Sequence, residues 1–149
     1  PTPLEPLDRL SEELGGPRIW LKRDDCTGLA SGGNKPRKLE YLMADVVAAG
    51  ADCVVTHGAV QSNHARQTAA ACAKLGLPCH LLLSERVDWP YESYRRQGNV
   101  LLDQLLGAQL HIHGLADIGA ARKNLLADLS NAGKRVYEIP AGGSSALGE

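Results

Sequence analysis

Apolar and polar positions follow two rhythms along this chain, and the rhythm changes at short polar breaks. Over residues 35–49 the apolar positions Leu39, Leu42, Met43, Val46 and Val47 fall three and four apart, which lines one face of a helix. Asn34 stands where an N-cap is expected, and Pro36 fits the first turn, where its missing N–H has no intrahelical partner to lose. Ahead of that helix, after a Pro-rich start, "IWLKR" (19–23) reads as a short strand followed by a polar, Gly-rich passage through Gly33. Behind it the strand-forming runs "DCVVTH" (52–57), "CHLLLS" (79–84), the less apolar "AQLHIH" (108–113) and "RVYEIP" (135–140) recur. Helices are predicted between them, over the Ala-rich 62–75, over 91–106 with an interruption or bend near Gly98, and over 117–132.

Strands alternating with helices of this length predict an α/β fold, an open parallel sheet flanked by helices in three layers. Ligands of such sheets gather beyond the carboxyl ends of the strands. There the chain places its least ordinary stretches, "THGAVQSNHARQ" after 52–57 and "PAGGSSALG" after 135–140.

Composition narrows the function classes. The 149 residues, 44% hydrophobic, suffice for one core of ordinary domain size. Sixteen basic residues against seventeen acidic ones leave a net charge of -1, which offers no polycationic surface and argues against nucleic acid as a partner. No stretch approaches the roughly 18 apolar residues of a membrane span, no signal peptide opens the chain, and the cytoplasm is the expected setting. Cys26, Cys53, Cys72 and Cys79 form neither a CxxC pair nor a convincing metal spacing; buried thiols in a reducing compartment are the first reading, a redox or metal role the second. His57, His80, His111 and His113 lie in or beside strands with no matching acidic constellation, so no metal is expected. Arg95 and Arg96 read as solvated surface; Leu101, Leu102, Leu105 and Leu106 read as core or a domain contact.

Three elements could carry chemistry. Gly142, Gly143, Ser144 and Ser145 offer consecutive backbone N–H groups and two hydroxyls, suited to a dianionic phosphate, although an ordinary loop has the same composition. Gln61, Ser62, Asn63 and His64 open a helix beside a tight passage and can meet a carboxylate or an aromatic hydroxyl; the alternative is that Ser62 caps the helix and His64 faces water. Lys35 sits at the positive end of a helix, which discourages it from holding its proton and makes it a candidate for attack on an aldehyde, against the alternative of a solvated surface lysine. An aldehyde, a phosphate and a ring hydroxyl together describe pyridoxal 5'-phosphate.

With these residues in place, "LKRDDCTGLASGGNKPRKLEYL", "GAVQSNHARQTAAACAKLGLPCHLLL", "GNVLLDQLLGA" and "IPAGGSSALG" resemble the pyridoxal-phosphate enzymes of the tryptophan-synthase-β fold type (fold type II). Within that type the chain resembles the group holding 1-aminocyclopropane-1-carboxylate deaminase, D-cysteine desulfhydrase and L-cysteate sulfo-lyase. The resemblance implies that Lys35 bonds covalently to the cofactor aldehyde and, once freed, serves as a base for the α-proton. It further implies that Lys38, with the backbone of Gly142, Gly143, Ser144 and Ser145, neutralises the phosphate and that Asn63 contacts the ring hydroxyl. Ser62, taken also as catalytic, would meet the substrate carboxylate or the reacting carbon together with Gln61 and His64. Members usually carry Thr where this chain has Pro36. The implied reaction is β-elimination from a sulfur-containing amino acid, giving pyruvate, ammonia and sulfide or sulfite. Ring-opening deamination of 1-aminocyclopropane-1-carboxylate and a catalytically silent binding module are the alternatives.

Family members are longer. The resemblance therefore implies a smaller α/β domain over 38–131, with 1–37 and 132–149 as incomplete pieces of a larger cofactor-binding domain. Either the chain is truncated or a second polypeptide completes it, and the complete enzyme is expected to be a homodimer.

Overall fold

The computed structural model describes residues 1–148. Its main sheet is built from the four strand-forming runs, β3 (Cys53–Ala59), β4 (Cys79–Glu85), β5 (Gln109–Gly114) and β6 (Val136–Ile139), all parallel and in the order β5-β4-β3-β6. A separate antiparallel pair joins β1 (Leu4–Pro6) to β2 (Trp20–Lys22), with α1 (Asp8–Leu14) between them. The crossover helices are α2 (Lys35–Ala48), α3 (Asn63–Leu75), α4 (Asn99–Leu105) and α5 (Ile118–Asn131).

Side chains alternate across the pleat, and the register sorts them onto two faces. Val54 and Thr56 of β3, Leu81 and Leu83 of β4 and Ile139 of β6 share one face, where Leu39, Leu42 and Val46 of α2 and Ala65, Ala69 and Cys72 of α3 complete the buried core. Going from β3 to β4 to β5, each parallel step runs outward; a right-handed return from β5 to β6 must cross the opposite face, and α5 does so. That second layer is thin. Its face of the sheet carries His57, His80, His111 and Glu138, and none of the residues of α5 is fully buried.

The expected three-layer parallel α/β sheet is thus the observed one, and the reversal of strand order lies between β3 and β6. The segments after those two strands are 60–64 and 140–145, so both motifs open onto the switch point, the crevice where open α/β sheets bind ligands.

β6 pairs with β3 from Cys53↔Val136 to Thr56↔Ile139, so residues 136–139 form a strand of the main sheet. The last residue of the expected 132–149 segment, Glu149, lies outside the described residues. Asn34 has helical backbone angles and makes no side-chain cap, so α2 starts without one. The helix expected over 91–106 with an interruption near Gly98 is found in two parts, a short 3-10 turn (Glu92–Arg95) and α4, and the break falls at Gly98, whose φ of 61° and ψ of -128° no L side chain adopts readily. The Pro-rich start holds β1 and α1, which its short, weakly periodic stretches did not announce.

Candidate active site

The site is assembled by three elements that meet at the carboxyl end of β3 and β6. α2 presents Lys35 and Lys38 three residues apart, hence on one face. Its start is anchored by Arg37, which reaches Asp24 at 2.7 Å and Thr2 Oγ1 at 2.9 Å; this pairing holds the Asp24 carboxyl below its ordinary value. The preceding loop is unusual, with Ala30, Ser31, Gly32 and Gly33 all at positive φ. Buried Gln67 of α3 donates to the Gly32 carbonyl, and Thr27 Oγ1 donates to the Gly33 carbonyl at 2.8 Å while accepting from the Gly33 N–H at 3.0 Å. These bonds fix the backbone two residues ahead of Lys35.

α3 contributes its first turn. Ser62 caps it, its Oγ accepting from the Ala65 N–H at 3.2 Å, and the same side chain fills the space where a Cβ on Gly58 would sit. His64 is only 4% exposed, contrary to the alternative that it faces water. Its Nε2 lies 2.9 Å from Thr56 Oγ1, and Thr56 donates its one hydroxyl hydrogen to the Ile139 carbonyl at 2.8 Å. Nε2 must therefore carry the proton, leaving Nδ1 as a bare acceptor, and that atom is buried without a partner. Burial, then the charge of Lys35, then those of His57 and Lys38, push His64 down to about 4, so it is neutral at physiological pH.

The turn after β6 packs directly on both helices. A Cβ on Gly143 would stand 3.1 Å from Leu42 Cδ1 and 3.6 Å from both His64 Cε1 and Lys38 Cβ, so only a glycine allows this approach. Lys38 Nζ donates to Ser144 Oγ at 3.2 Å. Of the expected row of amides, two are engaged within the turn: the Gly143 N–H donates to the Pro140 carbonyl at 2.9 Å and the Ser144 N–H to the Ala141 carbonyl at 3.4 Å. Ser145 accepts from the Gly148 N–H and is thereby tied into its own turn. The turn itself is a 3-10 segment, Ala141–Gly143.

The structure therefore brings together Lys38, His64, Gly143 and Ser144, with Lys35 close enough for its charge to act on His64. Gln61 is turned elsewhere. Its Nε2 donates to the carbonyls of Tyr94 (2.6 Å) and Gln97 (2.9 Å), and its Oε1 accepts from the Asn99 N–H at 2.9 Å. Asn63 is exposed, with its Oδ1 accepting from Asn99 Nδ2 at 2.9 Å. A groove of about 410 Å³ continues from Lys38 along α2 past Asn34, Arg37 and Tyr41.

Thr56, Thr27, Gln67 and Asn99 were not singled out from sequence. Each acts on a residue in a different element, and only the polarity of Thr56 and Gln67 within otherwise apolar runs hinted at a partner.

The donor set fits pyridoxal 5'-phosphate: a primary amine for the aldehyde, a cation and a hydroxyl for the phosphate, an exposed amide beside them, and a buried orphan acceptor at His64 Nδ1. Fold and donor set together suit an anionic cofactor at the switch point of an open α/β sheet. The chain belongs to the family described as pyridoxal-phosphate dependent enzyme, whose model matches residues 1–148. D-cysteine desulfhydrases of Salmonella paratyphi B and Salmonella newport are each 51% identical over 149 residues, covering 99% of this chain and 45% of theirs. The chain thus spans about half the length of the curated relatives it matches. A crystal structure of an ACC deaminase homologue superimposes with a TM-score of 0.85 at 39% identity, over 99% of this chain and 44% of that one. O-acetylserine sulfhydrylase isoform 3 of Entamoeba histolytica, at 13% identity and a TM-score of 0.67 over 92% of this chain and 40% of its own, shares the fold. The fold is that of fold type II, and the cofactor of the family is pyridoxal phosphate.

Proposed function

We propose that this protein performs a pyridoxal-phosphate-dependent β-elimination on a sulfur-containing amino acid, with D-cysteine as substrate. In net terms cysteine and one water give pyruvate, ammonia and hydrogen sulfide. Identity of 51% to D-cysteine desulfhydrases along 99% of the chain supports this substrate class. The observation that carries the site is the convergence of the α2 lysines, the α3 first turn and the Gly143–Ser144 turn on His64.

When bound, the cofactor supplies an electron-withdrawing ring that stabilises negative charge at the substrate Cα. Lys35 would provide the amine that holds the cofactor and a base able to move the proton at the substrate Cα. Lys38 and the Ser144 hydroxyl would hold the phosphate as a charge and a donor, beside the backbone of Gly142 to Ser145. Ser62 accepts the Ala65 N–H and keeps its own hydrogen to donate to the substrate carboxylate, beside the positive end of α3. His64 offers Nδ1 as an acceptor and has no proton to give there.

A second reading, ring-opening deamination, is favoured by the likeness to the ACC deaminase homologue. Among the described residues no helix is long and apolar enough to cross a membrane. A cytoplasmic setting suits the four free cysteines. Exposed Leu4, Leu10 and Leu14 support a further polypeptide surface covering the N-terminal segment, as in a dimer.

Product analysis decides between the readings. The protein supplied with pyridoxal phosphate should release sulfide and pyruvate from D-cysteine in equal amounts, and Lys35→Ala should lower the rate by about 10²–10⁴-fold or more, the contribution of a positioned acid–base group. 2-Oxobutanoate from 1-aminocyclopropane-1-carboxylate without sulfide from D-cysteine would replace the first reading by the second. No product from either, with the cofactor bound, would overturn both.

A further inference from the structure

The side-chain amides around Asn63 are oriented by backbone groups, and this fixes which end of Asn63 faces the ligand. Asn99 Nδ2 donates to the Gln61 backbone carbonyl at 2.8 Å, a partner that can only accept, so the NH₂ end of Asn99 must lie on this side. The same NH₂ group donates its second hydrogen to Asn63 at 2.9 Å, so the end of Asn63 turned toward Asn99 must be Oδ1. Asn63 Nδ2 then points away from Asn99 as a donor. Asn99 is itself held by its N–H to Gln61 Oε1 at 2.9 Å, and Gln61 is locked by Tyr94 and Gln97. Gly98 makes the junction possible, since a Cβ there would stand 2.6 Å from Gln61 Oε1.

We propose that Asn99 is a positioning residue which, backed by Gln61, sets Asn63 as a hydrogen-bond donor toward an acceptor oxygen, the ring oxygen of the cofactor. The inference rests on the reading of this site as a pyridoxal-phosphate site. Gln61 accordingly acts through Asn99 rather than on the substrate. Asn99→Asp replaces a donor by an acceptor; the Asn63 amide then turns over, presents Oδ1 outward and repels an oxygen ligand. Asn99→Ala removes the restraint without imposing the reversal.

Three measurements test this. In the unloaded protein, proton exchange by NMR should show the Asn99 side-chain NH₂ protected and that of Asn63 exchanging freely; the reverse would overturn the proposal whatever the cofactor does. With cofactor, Asn99→Asp should raise the dissociation constant for pyridoxal phosphate about tenfold or more, and Asn99→Ala by less, as expected when a donor to a charged oxygen is lost or inverted. The ring oxygen is most negative once the nitrogen linking Lys35 has lost its proton, so a donor there favours the deprotonated form. Loss of the donor should therefore move the midpoint of the visible-band titration upward, by about one pH unit. Equal effects of the two variants on melting temperature with an unmoved midpoint would mean a structural role only, and would overturn the proposal. Absence of any visible band in the unaltered protein would instead overturn the cofactor reading, and the amide protons alone would then decide the orientation.

Discussion

Two buried side chains, His64 of the site and Asp103 of α4, should titrate far from their ordinary values, in opposite senses for stability. His64 is depressed to about 4, first by burial and then by Lys35, so between about 4 and 6.5 the folded state holds fewer protons there than the unfolded one. Its contribution to stability is complete above 6.5 and is lost as pH falls toward 4. NMR of the imidazole should show the proton on Nε2 and a midpoint near 4; a proton on Nδ1 or a midpoint above 6 would refute the Thr56 relay. Asp103 of α4 is fully buried with neither oxygen bonded, and burial raises it to about 7 against a partly opposing Arg66. Here the folded state binds the extra proton, so stability declines as pH rises from about 4 to 7. Asp103→Asn should stabilise the protein at pH 8, on the order of 2 kcal/mol by urea unfolding, with the gain shrinking toward pH 4; an equal effect at both pH values would contradict this. The identity of the polar residues at 61–64 was legible in sequence, but their directions were not. Gln61 and His64 find their partners at 94–99 and at Thr56, and only the folded chain brings those segments together.

At the scale of elements, the chain's local signals succeeded wherever one face of an element is buried over several turns. α2, α3 and the four main strands follow the predicted ranges to within a residue or two, because Leu39, Leu42 and Val46, or Val54 and Leu81, each lose nearly all contact with water. The failures came where no such face exists. α1 has no buried residue, and the stretch ahead of the expected break at Gly98 is a 3-10 turn rather than an α-helix. The loop leading into α2 is sensitive to substitution at Gly32. A Cβ on Gly32, at φ 71°, would overlap the Asp25 carbonyl, and Gln67 holds the Gly32 oxygen from the other side. Gly32→Ala should cost about 3 kcal/mol or more, the combined effect of positive φ and backbone overlap. Thermal unfolding checks it, and a change within a few tenths of a kcal/mol would show that the loop is not held as described.

Over the whole molecule, function follows from one topological fact, the reversal of strand order between β3 and β6, which aims two sequence-distant motifs into one crevice. The parallel sheet was foreseeable from the alternation of strands and helices; the position of β6 beside β3 was not, since edge order is decided by the path of α5 across the far face. The central claim is that α2 offers Lys35 to an aldehyde at that crevice. Borohydride reduction of the protein incubated with pyridoxal phosphate, followed by digestion and peptide mass analysis, addresses it most directly. A phosphopyridoxyl adduct on the peptide containing Lys35, lost in Lys35→Ala, is the expected result; an adduct confined to another lysine, or none in protein that carries the cofactor's visible absorption, would contradict it.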